Sequence, residues 1–278
     1  MTHFKYRSLC RVCSEELDDL ISLEPQYLSP TFVKSNVNNE LSKIKIPLTM
    51  SICKNTLCSL VQLRETTDPN LLYTNYFYRS STNLMMLESL KKVVAKSQTF
   101  VSLKKDDVVV DIGSNDCSML SFFPNHTNRI GIEPATNIDW TDTDKTIQII
   151  NDFFPSLKLE KYTNKKKVSI FTSCAMFYDL EDPNSFVKAI KDNLDQNGVW
   201  CIQLSYVLLM IKNLNFYDIC HEHLEYYSLN SLKFLMEKNG LEIVHAETND
   251  VNGGSLLVFI KHLNLKNQKT NELKKLIL

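Results

Sequence analysis

The chain has 278 residues, of which 44% are apolar and 23% charged, a composition typical of a globular protein with a sizeable core. A formal net charge of −1 excludes bulk electrostatic attraction to nucleic acid or to an anionic membrane. Apolar runs stay shorter than the roughly 20 residues that span a bilayer, and the first residues lack a secretory signal. We therefore expect a cytoplasmic protein.

Four cysteines form two close pairs near the N-terminus. Cys10 and Cys13 have two residues between them, and Cys53 and Cys58 have four. Two short turns that each supply two thiolates match the tetrahedral ligand set of Zn²⁺. A redox-active pair is the alternative, but the strand and helix that flank a thioredoxin motif are missing. Because four cysteine ligands leave no open coordination position, the pattern predicts a structural zinc ion.

Helices and strands alternate from about residue 83 onward. Thr82 and Asn83 can cap a helix that runs from Leu84 through Val94, and Val108–Val110 is typical of a buried parallel strand. Later segments predict strands at 129–132, 147–150, 168–171 and 199–204, helices at 184–194 and 229–239, and a final antiparallel edge pair at 241–246 and 255–261. This alternation predicts an α/β fold with a doubly wound sheet.

The strand at Val108–Val110 is followed by a turn with one glycine, whereas the dinucleotide fingerprint has three. A smaller adenosine ligand, S-adenosylmethionine, is therefore favoured over a nicotinamide cofactor. Glu133 ends the next strand and can accept hydrogen bonds from both ribose hydroxyls. After the third strand, a carboxylate can bind the adenine amine and a phenyl ring can stack on the base. The predicted cofactor residues are Asp111, Gly113, Ser114, Asn115, Glu133, Asp152, Phe153 and Ser173.

Residues 219–227 concentrate titratable side chains in the order Ile-Cys-His-Glu-His-Leu-Glu-Tyr-Tyr. Abstracting a proton beside a carbonyl needs a base, an orienting partner for the base and donors for the enolate oxygen. His221 and His223 are candidate bases, Glu222 is the orienting carboxylate, and Tyr226 or Tyr227 is a candidate donor. A metal site on the two histidines and a purely structural role remain alternatives. A metalloprotease motif would need a histidine at position 225, where a glutamate stands.

Tyr76 belongs to a second aromatic group, residues 73–81, between the cysteine-rich part and the alternating part. Its tyrosines and arginine could line a cleft that holds a diphosphate-bearing substrate. Packing between the two parts of the chain is the alternative.

Taken together, these residues resemble the sugar C-methyltransferase family, which acts on nucleotide-linked keto-deoxysugars. The resemblance covers the paired cysteines and the segments 76–81, 111–116, 131–135, 175–183, 220–227 and 252–255. It implies a class I methyltransferase core with a Rossmann-like sheet, preceded by a zinc-binding module. The implied reaction removes a proton from a carbon next to a ketone and passes the methyl group of S-adenosylmethionine to that carbon.

The resemblance also implies residue roles. His223 would be the base and Glu222 its helper, while Tyr76 and a tyrosine near the histidines would assist the enolate. Two positions depart from the family pattern: Cys220 stands where a tyrosine is frequent, and Cys117 stands where a glycine is usual.

Four segments follow from this interpretation. We expect a zinc-binding module over 1–70, a connecting helical segment over 71–100 and a methyltransferase core over 101–265. Residues 266–278 would begin a helix leading to a C-terminal domain that the family has and this chain lacks.

The predicted function is C-methylation of a small nucleotide-sugar in deoxysugar biosynthesis, without nucleic-acid or membrane partners. An O- or N-methyltransferase with another acceptor is one alternative. A non-catalytic zinc-ribbon interaction protein with a degenerate methyltransferase core is the other. The sequence leaves the oligomeric state, the sugar and the methylated carbon open.

Overall fold

The structure is a computed structural model that describes residues 3–29, 43–264 and 266–277. The strands in these ranges are β1 Phe4–Tyr6, β2 Leu17–Tyr27, β3 Lys45–Cys53, β4 Val61–Leu63, β5 Glu65–Thr67, β6 Val108–Ile112, β7 Asn128–Ile132, β8 Ile147–Ile150, β9 Val168–Cys174, β10 Leu194–Ser205, β11 Glu225–Tyr226, β12 Leu241–Asn249 and β13 Ser255–His262. The helices are α1 Pro69–Tyr73, α2 Leu84–Ser97, α3 Ser118–Ser121, α4 Leu159–Tyr162, α5 Pro183–Asn193, α6 Val207–Asn213, α7 Leu229–Lys238 and α8 Asn271–Ile277.

A seven-stranded sheet in the order β12-β13-β10-β9-β6-β7-β8 forms the centre of the fold. Strands β6 to β10 pair in parallel, and β6 is buried along its whole length. This confirms the predicted doubly wound α/β sheet, since a parallel strand covered on both faces is apolar throughout. The last two strands pair antiparallel as predicted, but β13 lies between β10 and β12. Of these two strands, only β12 is at an edge of the sheet.

The three longest helices begin where their capping residues predict. The Asn83 side chain accepts from the first free amides of α2, and the Asp182 side chain caps α5 ahead of a proline. Ser228 and Ser231 form a reciprocal capping box at the start of α7. Gly240 follows α7 with φ of +76°, a left-handed conformation that suits glycine.

A smaller four-stranded sheet has the order β11-β4-β3-β2 and belongs mostly to the N-terminal part of the chain. Its edge strand β11 is contributed by the segment that the sequence marked for proton transfer. Glu225 pairs with Gln62 and Tyr226 with Val61. The N-terminal module and this segment are therefore one hydrogen-bonded unit.

The two sheets also share a buried core. Cys10, Leu60 and neighbouring module residues pack in one apolar cluster with Trp200 and Tyr227 of the larger part. Arg11 is fully buried beside them and lies 3.9 Å from the Glu225 carboxyl group. The described ranges contain no helix with the length and apolar content needed to cross a membrane.

Candidate active site and zinc centre

The two cysteine pairs meet at one point. Each pair lies on a tight turn, and Ser14 and Ser59 close these turns in the left-handed conformation. The four sulfur atoms lie within 4.8 Å of one another; Cys10 Sγ is 3.8 Å from Cys58 Sγ.

These spacings can be tested against the metal. Zn–S bonds of about 2.3 Å in a tetrahedron place sulfur atoms about 3.8 Å apart. The shorter 3.3 Å between Cys13 and Cys53 needs a shift of only a few tenths of an ångström to reach that value. The four thiols therefore fit a closed zinc site, in which the metal would hold the two turns together.

The glycine turn after β6 is tightly constrained. Gly113 has φ of +71°, and a Cβ there would lie 3.1 Å from the Met176 side chain. Cys117, which replaces the usual glycine, also adopts a left-handed φ of +63° and is buried. Because that region disfavours side chains, the geometry explains why glycine suits this position.

Glu133 directly follows β7 and faces the glycine turn. Its carboxylate accepts the backbone amide of Asn115 at 2.8 Å and that of Ala135 at 2.9 Å. Burial raises the pKa of Glu133, while these two amides act in the opposite direction. Each oxygen keeps a lone pair for another donor, so the carboxylate can bind a pair of hydroxyls.

Asp111 is buried at the end of β6, next to this turn. Its Oδ1 atom accepts from the Thr172 hydroxyl at 2.6 Å. Burial raises the pKa of Asp111 to about 7, against the lowering effect of the Thr172 hydrogen bond.

Two cavities open beside the glycine turn. The larger, of about 340 Å³, is lined by most of the residues predicted to bind the cofactor. The smaller, of about 320 Å³, extends toward β10. Both are bordered by Tyr76, Gly113, Asn115 and Ala175, so they meet at the turn. The predicted residues that line them are Tyr76, Asp111, Gly113, Ser114, Asn115, Glu133, Asp152 and Phe153.

Two predicted cofactor residues make contacts with other side chains of the protein. Asp152 lines the larger cavity, but its Oδ2 atom also accepts from Ser156 at 2.9 Å and lies 3.2 Å from Lys158 Nζ. Ser173 lies outside both cavities: it is fully buried, and its hydroxyl accepts from the Trp200 indole at 3.1 Å. A β-strand alternates its side chains between two faces, and Ser173 points to the core face.

His223 is held in one tautomer. Its Nδ1 atom lies 2.9 Å from the backbone carbonyl oxygen of Asp218. A carbonyl can only accept, so Nδ1 carries the proton and Nε2 keeps its lone pair. Burial lowers the pKa of His223, while the negative charge of Glu222 raises it. The ring is therefore a neutral imidazole, and Nε2 has no hydrogen-bond partner among the residues that the structure describes.

The surroundings of His223 connect it to the cavities. Its ring contacts the Tyr178 ring at a centroid distance of 4.3 Å, and Tyr178 borders the smaller cavity. The amide of Leu224 donates to the Tyr178 carbonyl at 2.8 Å, and Leu224 borders the larger cavity. His223 itself is not among the described residues that line either cavity. Leu224, its neighbour in the chain, separates it from the larger cavity, and the contacting Tyr178 ring separates it from the smaller one.

The other predicted catalytic residues differ in their placement. Glu222 accepts from the Ser29 hydroxyl at 2.5 Å, and its backbone carbonyl lies 3.3 Å from the Tyr73 hydroxyl. His221 is buried against the module, with Nε2 3.1 Å from the Ile46 carbonyl. Tyr226 is buried too, and its hydroxyl donates to the Asp218 carbonyl at 3.2 Å. His221 and Tyr226 thus support the segment from outside the cavities.

Several polar residues at the cavities were not among the predicted site residues, and three of them lie close to the proposed reaction. Tyr178 and Gln203 border the smaller cavity, and Asp179 borders the larger. Tyr178 and Asp179 belong to the 175–183 stretch that carried the family resemblance, so that stretch held a usable signal. Gln203 lies on a buried strand, and its side-chain direction depends on the strand register.

Two family models match the chain in agreement with this geometry. The model "Putative zinc binding domain" matches residues 10–73, and the model "Methyltransferase domain" matches residues 86–246, which is more than half of the chain. The chain therefore belongs to the methyltransferase domain family.

Individual proteins are similar to this chain over most of its length. The chain is 27% identical over 253 residues to the C-methyltransferase NovU from Streptomyces niveus, a match that covers 90% of this chain and 60% of the length of that relative. An S-adenosylmethionine-dependent methyltransferase from Clostridium acetobutylicum ATCC 824 shares its fold, with a TM-score of 0.52 and 8% identity over 64% of this chain and 92% of that one.

A second solved structure supports the same fold. Magnesium protoporphyrin IX methyltransferase from Synechocystis PCC 6803, with bound SAH, superposes with a TM-score of 0.50 at 10% identity. The match covers 65% of this chain and 88% of that one. The α/β core is thus a Rossmann-like methyltransferase fold, preceded by a cysteine cluster of zinc-binding type.

Proposed function

We propose that this chain is an S-adenosylmethionine-dependent C-methyltransferase that acts on a nucleotide-linked ketosugar. The observation that carries the proposal is the His223 imidazole, whose Nδ1 atom donates to the Asp218 carbonyl and whose Nε2 atom is free to act as a base. The 27% identical C-methyltransferase NovU supports methyl transfer to carbon.

The residues around the glycine turn fit S-adenosylmethionine. Gly113 borders both cavities, where its backbone can lie close to a ligand, and the Glu133 carboxylate can accept from ribose hydroxyls. Phe153 is 41% exposed at the cavity and offers a ring for adenine stacking. When bound, this molecule supplies the electrophilic methyl group.

The chain's own groups would perform the proton transfer. His223 Nε2 accepts the proton from the carbon next to the ketone, and the nearby Glu222 carboxylate favours the imidazolium that forms. Tyr76 borders both cavities, and burial raises the pKa of its hydroxyl, so this group stays protonated and can donate to the enolate oxygen.

The zinc module would take part by position. Because β11 pairs with β4, the metal-bound turns would fix the segment that carries His223 and Glu222. A closed site with four cysteine ligands holds structure and leaves no position for substrate.

Methyl transfer with a ¹³C-labelled donor tests the proposed reaction. The chain is incubated with S-adenosylmethionine labelled on the methyl group and a panel of nucleotide-linked keto-deoxysugars, and the product is examined by NMR. We expect a labelled methyl group bonded to a carbon adjacent to the ketone. A label on oxygen or nitrogen would support the alternative class of methyltransferase and overturn this proposal.

A further inference from the structure

The carboxyl group of Asp179 is an unassigned feature of the larger cavity. Asp179 ends a 3-10 turn, Phe177–Asp179, that begins three residues after the end of β9. It borders the cavity together with Tyr73 and Tyr76. Within the described part of the chain, its Oδ1 atom is shielded from solvent and has no hydrogen-bond partner. A buried polar atom without a partner costs free energy unless a ligand satisfies it.

Direct contacts attach this turn to the proposed catalytic segment. Tyr178, the residue before Asp179, contacts the His223 ring and accepts the Leu224 amide through its carbonyl. The Tyr73 hydroxyl, which borders the same cavity as Asp179, donates to the Glu222 carbonyl at 3.3 Å. Asp179 therefore borders the cavity one residue along the chain from Tyr178, which contacts the base.

The charges around Asp179 favour its neutral form. Burial raises its pKa well above the usual range, and the negative charges of Glu222 and Glu225 raise it further. The nearby Tyr73 hydroxyl lowers the pKa of Asp179 and does not compensate. Glu225 has Arg11 as an ionic partner 3.9 Å away, whereas no such cation lies within 4 Å of Asp179 among the residues that the structure describes. A carboxyl group in such surroundings keeps its proton at neutral pH.

On the basis of the proposed C-methyltransferase function, we propose that Asp179 is a catalytic residue that donates a hydrogen bond from its protonated carboxyl group to the ketone oxygen of the sugar. An acid kept neutral in an apolar site can stabilise an enolate in this way without a net charge of its own.

The proposed reaction has two steps, formation of the enolate and transfer of the methyl group. As His223 Nε2 takes the carbon-bound proton, the C–H electron pair forms the C=C bond and the carbonyl π pair moves onto oxygen, where the Asp179 O–H donates. In the second step the C=C pair forms the new bond to the methyl carbon, and the carbonyl re-forms. The pair of the broken S–CH₃ bond stays on sulfur, and His223 releases its proton to water.

Two substitutions separate a neutral donor from an anionic base. Asp179→Asn keeps a donor of the same shape, and Asp179→Leu removes it. With S-adenosylmethionine and the panel sugar on which the wild-type chain is active, we expect kcat of the Asn variant to stay within about tenfold of wild type. The Leu variant should lose about 10²- to 10³-fold in kcat, as happens on removal of one oxyanion donor.

Controls keep this comparison specific. Asp192→Asn changes an exposed carboxyl on α5 and should leave kcat unchanged. Melting temperature and S-adenosylhomocysteine affinity should match wild type in the Asn variant, which shows that the cavity is intact. An unimpaired Leu variant, or an Asn variant as slow as the Leu variant, would overturn the assignment of Asp179.

A spectroscopic readout is independent of turnover. Difference infrared spectra of Asp179→Asn against the wild-type chain, both loaded with S-adenosylhomocysteine, should show the loss of one carbonyl stretch of a protonated carboxylic acid, while the contribution of Asp111 stays in both spectra. Absence of that band would overturn the assignment. A methyl label on oxygen in the wild-type product would instead overturn the proposed function, so the two failures are distinguishable.

Discussion

At the scale of the residue, the tautomer of His223 is set by its contact with a backbone carbonyl, that of Asp218. Asp218 supplies a carbonyl that accepts from both His223 Nδ1 and the Tyr226 hydroxyl. This fixes the tautomer and the ring orientation at once. Tyr226, predicted as an enolate donor, contributes in the structure by holding the same carbonyl; its catalytic role stays a prediction.

Replacing His223 by glutamine tests the base directly. The variant should lose methyl transfer by at least about 10²- to 10⁴-fold, since glutamine cannot accept the proton at neutral pH. Calorimetric titration should show S-adenosylhomocysteine affinity unchanged. His262→Gln is the matched control, because His262 also contacts a backbone carbonyl but lies at the end of β13. Wild-type turnover by the His223 variant would remove the base assignment.

Asp111 should give the folded chain a specific pH dependence. Its pKa is about 7 when folded and near the ordinary 3.8 when unfolded. The folded chain therefore holds the proton over a range in which the unfolded chain has released it. The stabilisation from this proton is complete below about pH 4 and is lost as the pH rises through 7.

Asp111→Asn removes that titration. The difference in free energy of unfolding, variant minus wild type, should therefore increase between about pH 4 and about pH 8. The expected increase is on the order of 1 to 4 kcal/mol in favour of the variant. Denaturant unfolding at several pH values measures this difference. Asp142→Asn, at an exposed carboxyl, is the control and should follow the wild-type curve. Parallel curves for wild type and Asp111→Asn would contradict the buried protonated state.

At the scale of the element, the cofactor site depends on how closely β7 approaches the glycine turn after β6. Gly131 on β7 has no side chain, and a Cβ there would lie 2.6 Å from Ser114 Oγ and 3.2 Å from Cys117 Sγ. The turn that would face the cofactor is therefore pressed against a strand that tolerates only glycine at this point.

Gly131→Ala should displace the turn. We expect it to weaken S-adenosylhomocysteine binding by at least about tenfold while destabilising the chain by about 1–3 kcal/mol, as overpacking does. Gly198→Ala is the matched control, because its Cβ would also approach neighbours at 2.9 to 3.0 Å, but on β10 and away from the cavities. Equal affinity in the two variants would show that the Gly131 contact does not position the site.

At the scale of the whole molecule, one small sheet joins the zinc module to the catalytic segment. Leu224 donates its amide to the Tyr178 carbonyl of the core and accepts the Leu63 amide of the module through its own carbonyl. The buried pair of Arg11 and Glu225 lies at the same junction. The residues proposed for catalysis therefore depend on the module for their position, whereas most cofactor residues lie on or after β6 to β8.

Removing the metal should therefore impair methyl transfer much more than cofactor binding. Cys13→Ser should release zinc and unfold the module, because binding and folding are coupled at such sites. We expect methyl transfer to disappear and hydrogen exchange to accelerate at the Leu63 and Leu224 amides. Affinity for S-adenosylhomocysteine should fall by no more than about tenfold.

Cys201→Ala provides the comparison, since it alters a buried cysteine of the core. This variant should retain zinc and slow exchange at both amides. Full activity in a zinc-free Cys13 variant would contradict the positioning role of the module.

Local patterns predicted most of the fold. Capping residues and apolar runs located α2, α5, α7 and the strands of the central sheet, because those signals are short-range. The insertion of β13 between β10 and β12, and the pairing of β11 with β4, were not predictable, since strand order depends on contacts distant in sequence.

In the candidate site, too, local sequence signals located some residues, whereas side-chain directions that depend on packing were not predictable. Residues next to a glycine or at a strand end, such as Gly113 and Glu133, lie at the cavities as their positions predicted. Ser173 and His221 face buried neighbours instead, which depends on side-chain direction and on packing across domains. Asp179 escaped detection because a lone carboxyl becomes informative only when its burial and its missing partner are known.

The central claim is that His223 generates a carbanion-type intermediate, and deuterium exchange tests it most directly. The wild-type chain is incubated in deuterated water with S-adenosylhomocysteine and each nucleotide-linked keto-deoxysugar of the panel. Our account predicts deuterium at the carbon beside the ketone without any methyl transfer, and none with His223→Gln. A sugar that the chain methylates but whose carbon never exchanges, or equal exchange by the variant, would contradict it.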